Sequence, residues 1–222
     1  MKTMLKTQIF RILLAGILVL SISAPAGSHM NAAASHSFSD EAVRTREIFS
    51  YVNRYIDKNI ESLEKIRKKN KNTFRMMDGV FTKYDLPVEL KYLAVIESEL
   101  KSTAVSRVGA VGTWQLMPET ARILGLKVTD KYDERTHTYK STKAAAIYLR
   151  DLYTEFNDWL LVLAAYNCGP GPVYKAIRKS GSRDFWKLQN YLPLESRTHV
   201  KRFIATHYYF EGAAVPLQNG IF

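Results

Sequence analysis

The stretch AVIESELKSTAVSRVGAVGTWQLMPETA, Ala94–Ala121, begins as an apolar helix and sets a carboxylate, Glu97, where the pattern calls for a core residue. Leu90, Leu93, Ala94 and Glu97 lie at i, i+3, i+4 and i+7, so they share one helix face. Val88, Tyr92 and Val95 make the opposite face apolar as well, and a helix apolar on two sides is buried. Pro87 suits the first turn of this helix, where its missing N–H costs nothing. A glutamate removed from water keeps its proton to higher pH than a free one, which suits general acid chemistry on a glycosidic oxygen.

The loop that follows fits the same chemistry. Gly109 and Gly112 permit tight turns and close approach of a ligand. Trp114, Gln115, Leu116 and Met117 combine apolar surface with one amide, the mixture a pyranose requires with its apolar faces and hydroxyl edges. Trp114 and Leu116 read as core residues. Gln115 reads as ligand-facing, because an amide in apolar surroundings needs a partner. A third signal is AAYNCG, where Tyr166 and Asn167 bring polar tips to the end of an apolar helix. Asn167 fits a cap for the following turn equally well.

Outward from these motifs, the 222 residues are 46% hydrophobic and 24% charged, enough for one well-packed domain with additional helices. Residues 1–26 join a basic start (Lys2, Lys6, Arg11) to a short apolar run and the small-x-small pair Ala24 and Ala26, the pattern of a secretory signal peptide. Export, to the periplasm or cell envelope, is the expectation. Residues 27–40 read as a linker and 41–83 as an N-terminal helical segment. Residues 84–212 read as the catalytic domain and 213–222 as a C-terminal tail. Helical periodicity recurs at Pro118–Leu126, Ser141–Phe156 and Trp159–Gly171 and onward to Phe210, with no alternating strand of useful length. The fold class expected is all-α.

The formal charge is +11; Lys2, Lys6 and Arg11 carry three of these, and no acid precedes Asp40, leaving +8 after the signal. Such a chain meets anionic partners, so association with the wall or membrane is expected. The basic run Lys65–Arg75 lacks a groove-reading motif and reads as a solvated helix end, so nucleic acid is not an expected partner. Cys168 is the single cysteine, and the histidines are scattered, so no metal or cofactor is implied.

Taken together, Glu97-Ser98, SRVGAVGTWQLMP, AYN and LPLES resemble, in this order, the lytic transglycosylases of bacterial cell walls, relatives of goose-type lysozyme, and among them the membrane-bound type D group. The resemblance runs from about Leu86 to Ala205. It implies a lysozyme-like helical domain that cleaves the β-1,4 bond between N-acetylmuramic acid and N-acetylglucosamine in peptidoglycan strands, closing a 1,6-anhydro ring. It implies Glu97 as the single acid and then base. Ser98 and Ser106 accompany it, Ser106 in support of the acid, and Gln115 and Met117 line the cleft. Tyr166 and Asn167 lie near the reacting sugar, and Glu195 contacts substrate. The family usually has tyrosine where this chain has His199.

Between Glu99 and Glu119 there is no Asp or Glu. An inverting hydrolase needs a second carboxylate about 6.5–9.5 Å from the first, to activate water. Glu99, two positions from Glu97, points away on a helix. Ring closure by the sugar's own 6-hydroxyl is therefore expected, unless a distant acid such as Asp133 or Glu134 folds in. A lysozyme-like hydrolase and a non-catalytic wall-binding module are the alternative readings.

Overall fold

A computed structural model describes residues 32–212. The expected signal peptide, the first residues of the expected linker (27–31) and the tail lie outside the described residues. The α-helices of the described residues run in the order α1 (Ala32–Lys69), α2 (Lys71–Lys83), α3 (Lys91–Ser98), α4 (Pro118–Ile123), α5 (Thr138–Phe156), α6 (Trp159–Cys168), α7 (Pro170–Ser180), α8 (Phe185–Leu188) and α9 (Leu194–Glu211). Among the described residues, strand-like pairing is confined to isolated bridges, two of them in the loop after α3. The all-α expectation holds.

Two boundaries differ from the sequence reading. Residues 32–40, read as linker, are helical and continue into α1. The small residues that suggested a linker include Ala32, Ala33 and Ala34, and alanine has the highest intrinsic helix propensity. Pro87 opens not an α-helix but one turn of 3-10 helix, Val88–Leu90, which hands over to α3 at Lys91.

Helix α6 is the centre of the molecule. Trp159 to Ala165 are all buried, as expected of a helix apolar on every side. Asp158 caps it by accepting from the Leu161 N–H at 3.0 Å, and Gly169, at φ +79°, ends it. Around it pack α5, α7 and α9; α9 also packs against α1 and α3. The buried apolar residues form one cluster from Ile48 to Ala205, so α1 and α2 share the core of the following helices.

The pairing of α3 with α9 sets the site. Tyr92, near the start of α3, donates its hydroxyl to Glu211 Oε1 at 2.6 Å, and its ring stacks on Phe210 with centroids 4.8 Å apart. Burial, with the Glu211 hydrogen bond behind it, drives the Tyr92 hydroxyl far above its ordinary range, so it remains a donor. Arg67 donates to the Tyr209 carbonyl and lies over its ring at 4.2 Å, which ties the end of α1 to the end of α9. With these ends fixed, the last turn of α3 meets the first half of α9.

Candidate active site

Glu97 sits in that last turn, its side chain 15% exposed. It lines a cleft of about 650 Å³ with Ser106, Gln115, Met117, Tyr166, Asn167 and Glu195. Of the residues singled out in the sequence, only Ser98 is missing from this cleft. Ser98 is buried, and its hydroxyl donates to the Thr113 carbonyl at 2.8 Å. It braces α3 against the following loop, and borders a smaller hollow.

Glu97 is held by a residue that site selection from the sequence missed. His199 Nε2 lies 2.8 Å from Glu97 Oε1, and the His199 side chain is 4% exposed. Its Nδ1 is buried without a hydrogen-bond partner. A bare ring nitrogen is less costly to bury than an unpaired N–H, so the proton belongs on Nε2, donated to Oε1. The available signal was position: His199 occupies the place in ESRTHV where tyrosine is usual. Glu195, His199 and Arg202 lie at i, i+4 and i+7 of α9, on one face, and all three line the cleft.

The loop from Glu99 to Met117 is built to stay in place. Glu99 and Leu100 both take left-handed backbone, at φ +54° and +63°, and turn the chain sharply out of α3. Gly112, at φ +85°, packs so closely that an added Cβ would lie 2.1 Å from the Arg135 carbonyl oxygen. Arg135, itself buried, donates through Nη1 to the carbonyls of Gly109 and Leu116, both at 2.9 Å. Its remaining N–H groups engage Asp133, whose carboxyl is held below the usual range by those hydrogen bonds. Gln115 is strained, at φ +48°. Its amide nitrogen donates to the carbonyls of Gly112 and Ala104, at 2.9 and 3.2 Å. The loop itself thus supplies the partner expected from a ligand. Ser106 accepts from the Ala110 N–H at 2.9 Å, closing a tight turn at the rim.

On the far wall, Tyr166 donates its hydroxyl to the Trp114 carbonyl at 2.7 Å and its ring lies 5.5 Å from that of Tyr148, a cleft residue not foreseen. Burial, reinforced by the Glu97 charge, pushes the Tyr166 hydroxyl well above its ordinary range. Asn167 does not cap the turn. Its Oδ1 accepts from Ser196 Oγ at 2.8 Å, linking α6 to α9. Met117 is 41% exposed at the rim, while Trp114 and Leu116 are buried core residues, as read from the sequence. Trp114 donates from Nε1 to Thr142 Oγ1 at 2.9 Å.

The distant acids do not fold in. Asp133 is engaged by Arg135, and Glu134 is held below the usual range by the Lys127 backbone N–H and then by Lys140. Glu99 is exposed, pairs with Lys101 at 2.9 Å, and borders the smaller hollow rather than the larger cleft. Among the described residues, the carboxylates that line the larger cleft are Glu97 and Glu195. Glu195 is exposed in the first turn of α9, where a negative charge favours the helix dipole.

Residues 82–189 match the family profile of the transglycosylase SLT domain. Over 132 residues the chain is 41% identical to the membrane-bound lytic murein transglycosylase D of Escherichia coli, a match that takes in 57% of this chain and 29% of that protein. The structure is similar to the 70 kDa soluble lytic transglycosylase of Escherichia coli, with TM-score 0.56 and 19% identity over 92% of this chain and 41% of that one. It is also similar to the lytic transglycosylase Slt of Pseudomonas aeruginosa, with TM-score 0.55 and 21% identity over 80% of this chain and 28% of that one. The chain therefore spans less than a third of the length of the curated relative. His199 and Glu195 lie beyond the end of the matched residues and complete the site from α9. Residues 82–189 are a transglycosylase SLT domain in an all-helical, lysozyme-like fold, homologous to the lytic murein transglycosylases.

Proposed function

We propose that this protein is a peptidoglycan lytic transglycosylase, exported to the periplasm or cell envelope, that cleaves the β-1,4 bond between N-acetylmuramic acid and N-acetylglucosamine and leaves a 1,6-anhydromuramic acid end. The observation that carries this reading is the Glu97 carboxyl, set in a sugar-sized cleft with one oxygen held by His199. With Oε1 fixed, Oε2 is the oxygen for proton traffic. In its protonated form Glu97 gives a proton to the glycosidic oxygen, and the bond to the N-acetylglucosamine breaks. The substrate's acetamido oxygen stabilises the positive charge on the muramic acid ring. Glu97, now ionised, takes the proton from the 6-hydroxyl, and O6 closes on the anomeric carbon. Proton and charge both balance, and Glu97 ends protonated as it began.

Held nucleophiles gain entropically over free ones, which favours the 6-hydroxyl over water. The hydrolase reading rests on Glu195, the other carboxylate of the larger cleft. Its exposure and its place at the start of α9 give it a structural account without catalysis. Among the described residues no helix is long and apolar enough to cross a membrane. Digestion of purified sacculi, with products read by mass spectrometry, tests the proposal: fragments one water lighter than hydrolysis products support it, and intact sacculi or reducing-end fragments refute it.

A further inference from the structure

A second hollow of about 360 Å³ adjoins the larger cleft, and the two share Ile96, Glu97, Gln115 and Arg202. This volume is within the range of small-molecule sites, about 300–1,000 Å³. One side of the second hollow is made by α1, through Tyr55, Asn59 and Ser62.

Those three residues lie at i, i+4 and i+7, one stripe of the helix. They are half-buried, whereas Ile48, Val52, Leu63 and Ile66 carry the packing of α1 into the core. Tyr55 Oη accepts from Thr206 Oγ1 of α9 at 3.3 Å, and Asn59 Nδ2 donates to the Tyr55 carbonyl at 2.7 Å. The stripe still offers a phenol O–H, an amide oxygen and a hydroxyl to the hollow. Arg202 adds a guanidinium that donates from one nitrogen to the Ile96 carbonyl and has no carboxylate partner among the described residues. Leu63 and Ile66 supply an apolar floor. This is sugar-binding chemistry: an apolar face below, and donors and acceptors around hydroxyl and acetamido groups.

Resting on the glycan-cleaving reading, we propose that α1, which lies outside the matched domain, is part of the substrate site, and that Tyr55, Asn59, Ser62 and Arg202 bind the N-acetylhexosamine unit on the opposite side of Glu97 from the larger cleft. A group that breaks a glycosidic bond needs a sugar held on each side of it. Glu97 lines both hollows, as that requires.

The probe is N,N′,N″,N‴-tetraacetylchitotetraose, added to the ¹⁵N-labelled full chain and followed by NMR. Saturable shifts of the Asn59 side-chain amide and of the Ser62 backbone amide, together with those of larger-cleft residues, are expected. Shifts confined to the larger cleft overturn the inference and leave the enzymatic reading standing. No sugar-dependent shift anywhere counts against both. In a second arm, Asn59→Ala and Ser62→Leu, both placing good helix formers on α1, are compared on peptide-free glycan strands. KM rises about five-fold or more with kcat within about two-fold, against a scale on which tenfold corresponds to about 1.4 kcal/mol. Unchanged KM in both folded variants reduces α1 to a prop.

Discussion

Glu97 and His199, 102 positions apart in sequence, meet at 2.8 Å where the end of α3 crosses α9. The contact joins the acid to a side chain buried in the core. Replacing His199 with Phe fills the space without offering a donor, whereas Gln presents an amide N–H near the place of Nε2. His199→Phe should lower kcat about ten-fold or more with KM nearly constant, in the range of one lost charge-assisted hydrogen bond of about 1.5–3 kcal/mol. His199→Gln should recover part of that loss. Equal activity of wild type and His199→Phe would remove the pair from the mechanism.

Glu97→Gln keeps the side chain's size and one hydrogen-bond acceptor but cannot give or take the proton. Turnover of glycan strands should fall by about 10²–10⁴-fold, the usual worth of a positioned acid–base group. The melting temperature should stay near that of the wild type. Residual activity near the wild-type level would show that another group does the proton transfer.

Gly112 is needed for the shape of the loop. A Cβ there would meet the Arg135 carbonyl oxygen at 2.1 Å, and a φ of +85° strains any L side chain. Gly112→Ala should cost at least about 1–3 kcal/mol in urea unfolding and lower activity more than Gly109→Ala, whose added Cβ meets no heavy atom within 4 Å. A silent Gly112→Ala would mean that the close approach to Arg135 does not hold the loop.

Much of this site could be read in the sequence, because helix faces are periodic and local. The i, i+3, i+4, i+7 set of Leu90, Leu93, Ala94 and Glu97 gave the buried acid its face, and the uninterrupted apolar run of α6 marked the central helix. Four short motifs in order pointed to the cleft, and seven of the eight residues they singled out line it. What escaped depends on tertiary placement. Nothing within reach of His199 in sequence shows that it meets Glu97. The Asp133–Arg135 clamp is local, but its two loop carbonyls lie 19 and 26 positions from Arg135. Gln115 was read as a ligand contact because its amide needed a partner, and Ser98 through the resemblance, as the neighbour of Glu97. The fold supplied the partners of the Ser98 hydroxyl and the Gln115 amide nitrogen from the loop itself. The helical start of α1 was hidden by small residues that serve linkers and helices alike.

The clamp also makes a prediction in pH. Hydrogen bonds from Arg135 lower Asp133 in the folded state, so its contribution to stability is fully present above the unfolded value of roughly 3.9 and is lost as pH falls through the lower folded value. Wild-type stability should therefore decline below about pH 4 more steeply than that of Asp133→Asn, measured as urea midpoints between about pH 5 and 2.5. Parallel curves for the two proteins would show that Asp133 is not linked to folding.

The central claim is that the sugar's own 6-hydroxyl, not water, attacks the anomeric carbon once Glu97 has protonated the leaving oxygen. Cleavage of glycan strands in ¹⁸O-labelled water, with fragments analysed by mass spectrometry, measures this directly. The account predicts anhydro-ended fragments free of label. Label at the anomeric carbon of muramic acid in most fragments would contradict it, give Glu195 or another base the task of activating water, and make the protein a lysozyme-like hydrolase.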